Sequence, residues 1–293
     1  MIDYKKIISN RELRLKIINL LRFIPDEPYL KMVYRIKTGK KLNLIHPQTY
    51  CDKLNWLKLH DIHPEYTQMA DKIAVRDYIK EKISEDICFP LLGAWEHYDD
   101  IDFDALPERF FLKCNHDSGS TKVIMDKSTM NHSELKNFFE GRLKLNAYVL
   151  GREYSYRDIQ PQILAEEYMV PNGSNDINDY KFLCFNGIPR VMFVVSDRHE
   201  DCRLDYYDME FNHLPITAVY PNSDKAIEKP ALFNEMYILA TRLSQGMPFV
   251  RIDLYEINGK IYFGEFTHFD GGGFYPRKPD EWEDQLGDWI LIS

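Results

Sequence analysis

The amino-acid sequence predicts an α+β protein, with helices over roughly the first hundred residues and antiparallel sheets interrupted by helices after that. Three observations carry this. Apolar residues recur at helical spacing as far as Ile83. From Phe110 they fall instead into short segments rich in β-branched and aromatic residues, separated by turn residues. Finally, 293 residues with 44% apolar and 14% aromatic content supply a large core, arranged as two lobes or as one large domain with an appendage.

The elements follow in order. Asn10 precedes RELRLKIINLLRFI, in which Leu13, Ile17, Leu20 and Leu21 share a helical face, and Pro25 and Pro28 close the segment. Residues 1 to 41 hold 11 Lys/Arg against 4 Asp/Glu, although the whole chain carries a net charge of −9. Residues 10–24 are therefore a basic amphipathic helix, either packed on the main body or resting on an anionic membrane surface. Further helical patterns run from Thr49 to Leu59 and from Tyr66 to Ile83. Between them HDIHPE reads as solvated loop, since His60 and His63 lack a third metal ligand nearby. Strands are expected at FFLKC, KVIM, ILAEEYM, YKFLCF, PRVMFVVS, LDYYD, FVRIDLYE and KIYFGEFT. Helices interrupt them at Ser133 to Leu145 and Pro230 to Gln245, and after Gly271 a loop leads to a short capping helix.

Several classes are excluded. The longest apolar runs, such as Val191 to Val195, fall far short of the roughly 20 residues that span a bilayer. The N-terminus lacks an export signal, so a soluble cytoplasmic protein is expected. Cys51, Cys88, Cys114, Cys184 and Cys202 are odd in number and form no CxxC pair, which favours reduced thiols over structural zinc. The acidic balance repels nucleic acid, so a phosphorylated ligand must be held by local cations.

FVRIDLYEINGKIYFGEFTHFDGGG is the most informative segment. A two-residue turn at Asn258-Gly259 pairs Ile257 with Lys260 and sends Asp253 and Glu265 to opposite faces. A three-residue loop, Ile257-Asn258-Gly259, pairs Glu256 with Lys260 and turns Arg251, Asp253, Glu265 and Thr267 the same way. Two carboxylates beside one guanidinium then suit a hard divalent cation completed by water and phosphate. The other reading is an exposed hairpin with an Arg–Glu ion pair. In FFLKCNHDSGSTKVIMDK, Lys113 and Lys122 flank Ser118-Gly119-Ser120, a small-residue turn whose N–H groups and hydroxyls suit an anion. The turn lacks the Walker A pattern, and an ordinary hairpin is the alternative.

Taken in order, these segments resemble the ATP-grasp superfamily, specifically its TupA-like branch associated with teichuronopeptide and capsular polysaccharide synthesis. The similarity runs from about Pro47 to Gly287. The helix DKIAVRDYIKEKI followed by FPLLGAW resembles the family's entry, and implies Lys72 as a phosphate contact. FFLKCNHDSGS is similar to the strand and loop that cover the triphosphate, with Lys113 the matching lysine, and ILAEEYM resembles the hinge. There Glu166, with Glu167 beside it, is implied as acceptor for the adenine amino group, and the backbone of Tyr168 and Met169 faces the purine. In DYKFLCFNG the resemblance implies Asp179 and Lys181 as ribose and phosphate neighbours. Asp253 and Glu265 are implied as magnesium ligands, and Arg251 steadies the transferring phosphoryl group. Thr267 stands at the position of the third metal ligand, where the superfamily usually has Asn, and is the residue implied there, while THFDGGG stands where TupA-like chains tend to read TFTPGSG, introducing His268 and Asp270.

The resemblance implies an ATP-grasp fold of two α+β lobes, about 86–165 and 166–293, preceded by a helical region at 1–85. It implies ATP and Mg2+, and a ligase joining a carboxylate to an amine through an acyl phosphate. The expected donor is the C6 carboxylate of a hexuronic acid, as sugar nucleotide or polysaccharide, with an amino acid or amino alcohol as acceptor. A glycosyltransferase is the rival, hung on Asp102-Phe103-Asp104 as a DxD pair, though this stretch also reads as an acidic lead-in to a strand. Arg190 and Arg198 flank a strand where an anionic substrate would be received.

Overall fold

The computed structural model describes residues 18, 20–170, 177–196 and 202–292, in which helices lead and two antiparallel sheets follow. The basic segment 10–24 lies mostly outside the described residues, as does Arg198. The first helices are α1 (Asp26–Thr38), α2 (Tyr50–His60), α3 (Glu65–Ala70) and α4 (Val75–Ile83). Pro25 and Pro28 do not simply close a preceding helix; they open α1, with Pro25 at its N-cap. Proline's fixed φ and missing N–H suit a first helical turn, and Asp26 and Glu27 add negative charge at the positive end of the helix. Thr49 starts α2 by accepting from Asp52 N at 3.2 Å. The continuous helix expected over Tyr66 to Ile83 is broken. Asp71 Oδ1 accepts from Ile73 N at 2.8 Å and from Asn115 Nδ2 at 3.0 Å, so side-chain bonds replace helical ones and the chain turns.

The first sheet contains β1 (Leu91–Trp95), β2 (Phe110–Cys114), β3 (Lys122–Ile124) and β4 (Ile163–Glu167), in the order β1-β4-β2-β3. Between β3 and β4 lie α5 (His132–Leu143) and α6 (Tyr148–Gly151). Alternation along β2 and β4 buries Phe110, Leu112, Ile163 and Ala165 against Phe139 of α5. It leaves Lys113 and Glu166 on the opposite face.

The second sheet contains β5 (Asp179–Phe185), β6 (Ile188–Ser196), β7 (Arg203–Tyr207), β8 (His213–Leu214), β9 (Phe249–Ile257) and β10 (Lys260–Thr267). Its order is β10-β9-β5-β6-β7-β8. One face, with Phe182, Met192, Ile252 and Phe266, packs on α4 and on α7 (Phe233–Leu243). The other face divides along its length. Leu183, Phe185 and Phe249 pack under α1, α2 and α8 (Asp280–Trp289), while Asp179, Lys181, Asp253 and Glu265 occupy the far end. Helix α8 crosses the start of α2 so closely that a Cβ on Gly287 would lie 2.1 Å from Gln48 O. The chain entering β1 joins the outer edge of β10, Phe263 N donating to Ile87 O at 2.7 Å. Among the described residues no helix is long and apolar enough to cross a membrane.

Candidate active site

The β9–β10 hairpin turns on two residues, Asn258 (φ 51°) and Gly259 (φ 74°), with Ile257 opposite Lys260. The three-residue loop does not form, and Glu256 faces Ile261 rather than Lys260. Such a turn by itself separates Asp253 from Glu265, yet these two are direct cross-strand partners. The difference is a β-bulge: the register shifts between Phe263 and Glu265, and Gly264 is the extra residue. Phe263 and Phe266, three apart, consequently both reach the core, while Glu265 and Thr267 join Arg251 and Asp253 on the other face. Gly264 fits because it has no side chain. A Cβ there would meet Tyr255 Cε2 at 2.8 Å and Asp253 O at 3.1 Å.

Lys181 is the partner of Asp253 on the opposite strand, so Lys181, Asp253 and Glu265 lie side by side across β5, β9 and β10. Lys181 Nζ donates to Asp253 and, at 2.7 Å, to Asp179. Arg251 grips Asp253 with Nε and Nη2 at 2.7 and 2.8 Å, and reaches Glu265 Oε1 at 2.7 Å and Asp270 Oδ1 at 2.8 Å. Asp270 is bound in turn by Arg277, and Thr267 Oγ1 donates to Glu265 at 3.2 Å. Burial alone raises a carboxyl pKa, but Arg251, Lys181 and Lys72 hold Glu265 below its ordinary value. Arg277 and Arg251 do the same for Asp270. Burial works against the charge of Arg251, but Asp253, Asp270 and Glu265 raise its pKa well above the usual value.

The first sheet contributes a second group. Glu166 is bonded by Lys113 at 2.5 Å and by Arg76 of α4 at 2.7 Å. Lys72, in the break between α3 and α4, donates to Asp117 O at 2.5 Å in the loop after β2. Burial lowers its pKa, while Glu265 from the second sheet and Lys113 from the first both act on its charge. Lys72 therefore lies between the two clusters.

Other expected residues are not brought to this point. Lys122 is the partner of Leu112, so it shares the core-side face and stacks over Phe138 at 4.4 Å, away from Lys113. Ser120 is buried and used internally, accepting from Cys114 N and donating to Asp117, whereas Ser118 and Gly119 are exposed at the loop tip. Glu167 alternates away from Glu166 and is exposed. Tyr168 packs against Phe111 with ring centroids 5.2 Å apart, and Met169 follows it, half-buried. Asp102 accepts from the backbone N–H groups of Asp104 and Ala105 in an exposed turn, which accounts for the DxD spacing. Arg190 lies over Trp289.

Several neighbours were missed by sequence reasoning. Arg76 sits on the face of the entry helix that turns toward Glu166. Arg142 holds the loop by pairing with Asp117 at 2.6 Å and donating to Ser118 O at 2.7 Å. Asp270 marks a departure in THFDGGG, and its acidic side chain beside a glycine run is the signal the sequence offers for it.

The donor set suits magnesium in part. Around Arg251 four carboxylates, Asp179, Asp253, Glu265 and Asp270, are bonded to three cations, Lys181, Arg251 and Arg277, and Lys72 acts on Glu265 from beyond bonding distance. Glu265 keeps 35% of its side chain accessible. Among the described residues no three His, Cys, Asp or Glu groups form a ready-made metal cage. The residues thus fit a cation that takes part of its coordination from phosphate and water.

A family model described as TupA-like ATPgrasp matches residues 52–291. No curated protein matches the chain. Among solved structures, D-alanine–D-alanine ligase from Bacillus anthracis is 17% identical with a TM-score of 0.42, covering 76% of this chain and 65% of that one. D-alanyl-alanine synthetase A from Vibrio cholerae is 13% identical with a TM-score of 0.43, covering 83% and 70%. A RimK domain ATP-grasp protein from Sphaerobacter thermophilus is 12% identical with a TM-score of 0.41, covering 78% and 69%. The chain thus spans just under two thirds of the length of the first of these relatives, 65%.

Proposed function

The chain belongs to the TupA-like ATP-grasp family, and from that premise we propose that it is an ATP-dependent ligase that joins a carboxylate to an amine. ATP and Mg2+ are the cofactors that go with this fold. The observation that carries the reading is the convergence of Asp253 and Glu265 on one face, beside Arg251 and Lys181 and within electrostatic reach of Lys72. A carboxylate resists nucleophiles because it is anionic and resonance-stabilised; phosphorylation converts it to an acyl phosphate with a good leaving group.

Asp253 and Glu265 are the metal ligands in this reading, with Thr267 steadying Glu265. When bound, magnesium supplies charge neutralisation on the nucleotide's phosphates. Arg251, Lys181, Lys72 and Lys113 meet the charge that develops during phosphoryl transfer, already held in place by their carboxylate and carbonyl partners. Glu166 orients Lys113 and Arg76, which leaves the adenine edge to the backbone of Tyr168 and Met169, and the ribose side to Asp179. Ser118 and Gly119 at the exposed loop tip cover the phosphates and exclude water from the activated carboxylate.

For the donor we take the C6 carboxylate of a hexuronic acid, in a sugar nucleotide or polysaccharide, with an amino acid or amino alcohol as acceptor. The resemblance to the polysaccharide-linked branch supports this. For residues 10–24 we keep two readings, a basic helix packed on the main body and a peripheral contact with anionic membrane, the second supported by the 11 Lys/Arg against 4 Asp/Glu in residues 1 to 41. Incubation with ATP, Mg2+, uronates and a panel of amines is expected to release ADP and phosphate only when both substrates are present. UDP release from a sugar nucleotide without ATP would instead identify a glycosyltransferase. Salt-insensitive absence of binding to anionic vesicles would remove the membrane contact.

A further inference from the structure

We infer that Glu153 receives the ammonium group of the acceptor amine and takes the proton its nitrogen must lose before attack. The assignment deepens the ligase reading and rests on it.

Glu153 follows a residue held in an uncommon conformation. Arg152 has φ 54°, a left-handed geometry that side chains disfavour, and its buried guanidinium is fixed from several sides. Its Nε lies 3.4 Å from Asp26 Oδ1, its Nη2 donates to Leu21 O at 3.0 Å, and it stacks over Tyr29 at 4.2 Å. Such strain persists only where the surroundings over-determine it. Here it sets the direction in which Glu153 leaves the end of α6.

The carboxylate of Glu153 then lies between two glycines. A Cβ on Gly151 would approach its Oε1 to 2.7 Å, and one on Gly272 to 3.3 Å. Gly272 belongs to the same short turn, Asp270–Gly273, that supplies Arg251 with Asp270. Lys58, Lys37, Arg251 and Glu265 are the charges that act on Glu153. Lys58 donates instead to Asn55 Oδ1 at 3.1 Å and Gly272 O at 2.6 Å, and Arg251 to three other carboxylates. Tyr156, one turn further on, is acted on by the charges of Glu153, Glu265, Arg251 and Asp117. Burial raises the carboxyl pKa of Glu153 against the pull of Lys58, Lys37 and Arg251, the direction that makes a carboxylate a better proton acceptor.

The step balances. The amine lone pair forms the C–N bond, the C–O bond to phosphate breaks, and its electron pair departs with the phosphate. Of the two protons an ammonium nitrogen sheds on becoming an amide, one goes to Glu153 and the other leaves with the phosphate.

The test compares two nucleophiles at neutral pH, using glucuronate, galacturonate and their UDP sugars as donors. Hydroxylamine is largely unprotonated there and traps the acyl phosphate as a hydroxamate; ethanolamine and L-alanine arrive as ammonium ions. Glu153→Gln is expected to lower the amide-to-hydroxamate ratio by about tenfold or more relative to the unmodified protein. Glu153→Asp, which keeps the acid, is expected to recover part of it. An unchanged ratio, with both rates kept or both reduced in parallel, overturns the assignment and leaves the ligase reading standing. Absence of ADP and hydroxamate in the unmodified protein with every donor overturns the ligase reading and this assignment with it.

Discussion

Glu265 stands directly opposite Asp253 although a two-residue turn joins their strands. The parity of the turn and the parity of the bulge at Gly264 each displace the alternation by one residue, and together they restore it. Both acids therefore share a face with Arg251, while Phe263 and Phe266 stay in the core.

Neutralising either acid is expected to stop the chemistry and spare the fold. Asp253→Asn and Glu265→Gln keep side-chain volume but remove a charge that, on the proposed reading, holds the metal. ADP formation should fall about a hundredfold or more, with circular dichroism unchanged. Normal turnover in either variant would remove the metal assignment.

Gly264 tests the bulge itself. An alanine methyl would collide with Tyr255 and the Asp253 carbonyl, so Gly264→Ala should force the strands apart. The expected cost is about 1–3 kcal/mol in chemical denaturation, together with reduced ADP formation. A Gly264→Ala variant as stable and as active as the parent would contradict this packing.

Lys72 ties the α3–α4 break to the phosphate loop through Asp117 O. On the proposed reading it turns to a phosphate when nucleotide binds. Lys72→Met is expected to raise the KM for ATP about tenfold or more, the loss of one charge-assisted hydrogen bond. An unchanged KM would leave Lys72 a structural tether.

Much of this was legible because alternation is local. FFLKC, ILAEEYM and YKFLCF each expose their face pattern in the sequence, and Asn-Gly marks its own turn. Convergence of Asp253 and Glu265 was anticipated through an odd loop, whereas the molecule achieves it with an even turn and a glycine bulge. The glycine inside KIYFGEFT was the visible sign. Lys122 shows the opposite case, since its facing partner is Leu112 and its side chain turns to Phe138. That register depends on where the loop closes, and composition does not encode it. The broken helix at Asp71 and the Asp270–Arg251 pair depend on long-range bonds to Asn115 and β9, so no window of sequence contains them.

His268 gives the acid limb of stability. It is buried against Tyr66 with ring centroids 4.1 Å apart, and neither ring nitrogen has a hydrogen-bond partner among the described residues. Burial, aided by the charge of His63, lowers its pKa from 6.5 to about 3. Between those two values the unfolded chain takes up a proton that the folded one refuses, so acidification favours unfolding. Stability attributable to this residue should be intact above pH 6.5 and fall by about 1.4 kcal/mol per pH unit below it. Replacing it by phenylalanine retains a ring against Tyr66 and removes the titration. His268→Phe should therefore flatten the dependence of the urea midpoint on pH between neutrality and about pH 5, with little change at neutral pH. Parallel curves for the two proteins would show that the ring is solvated or hydrogen-bonded in solution.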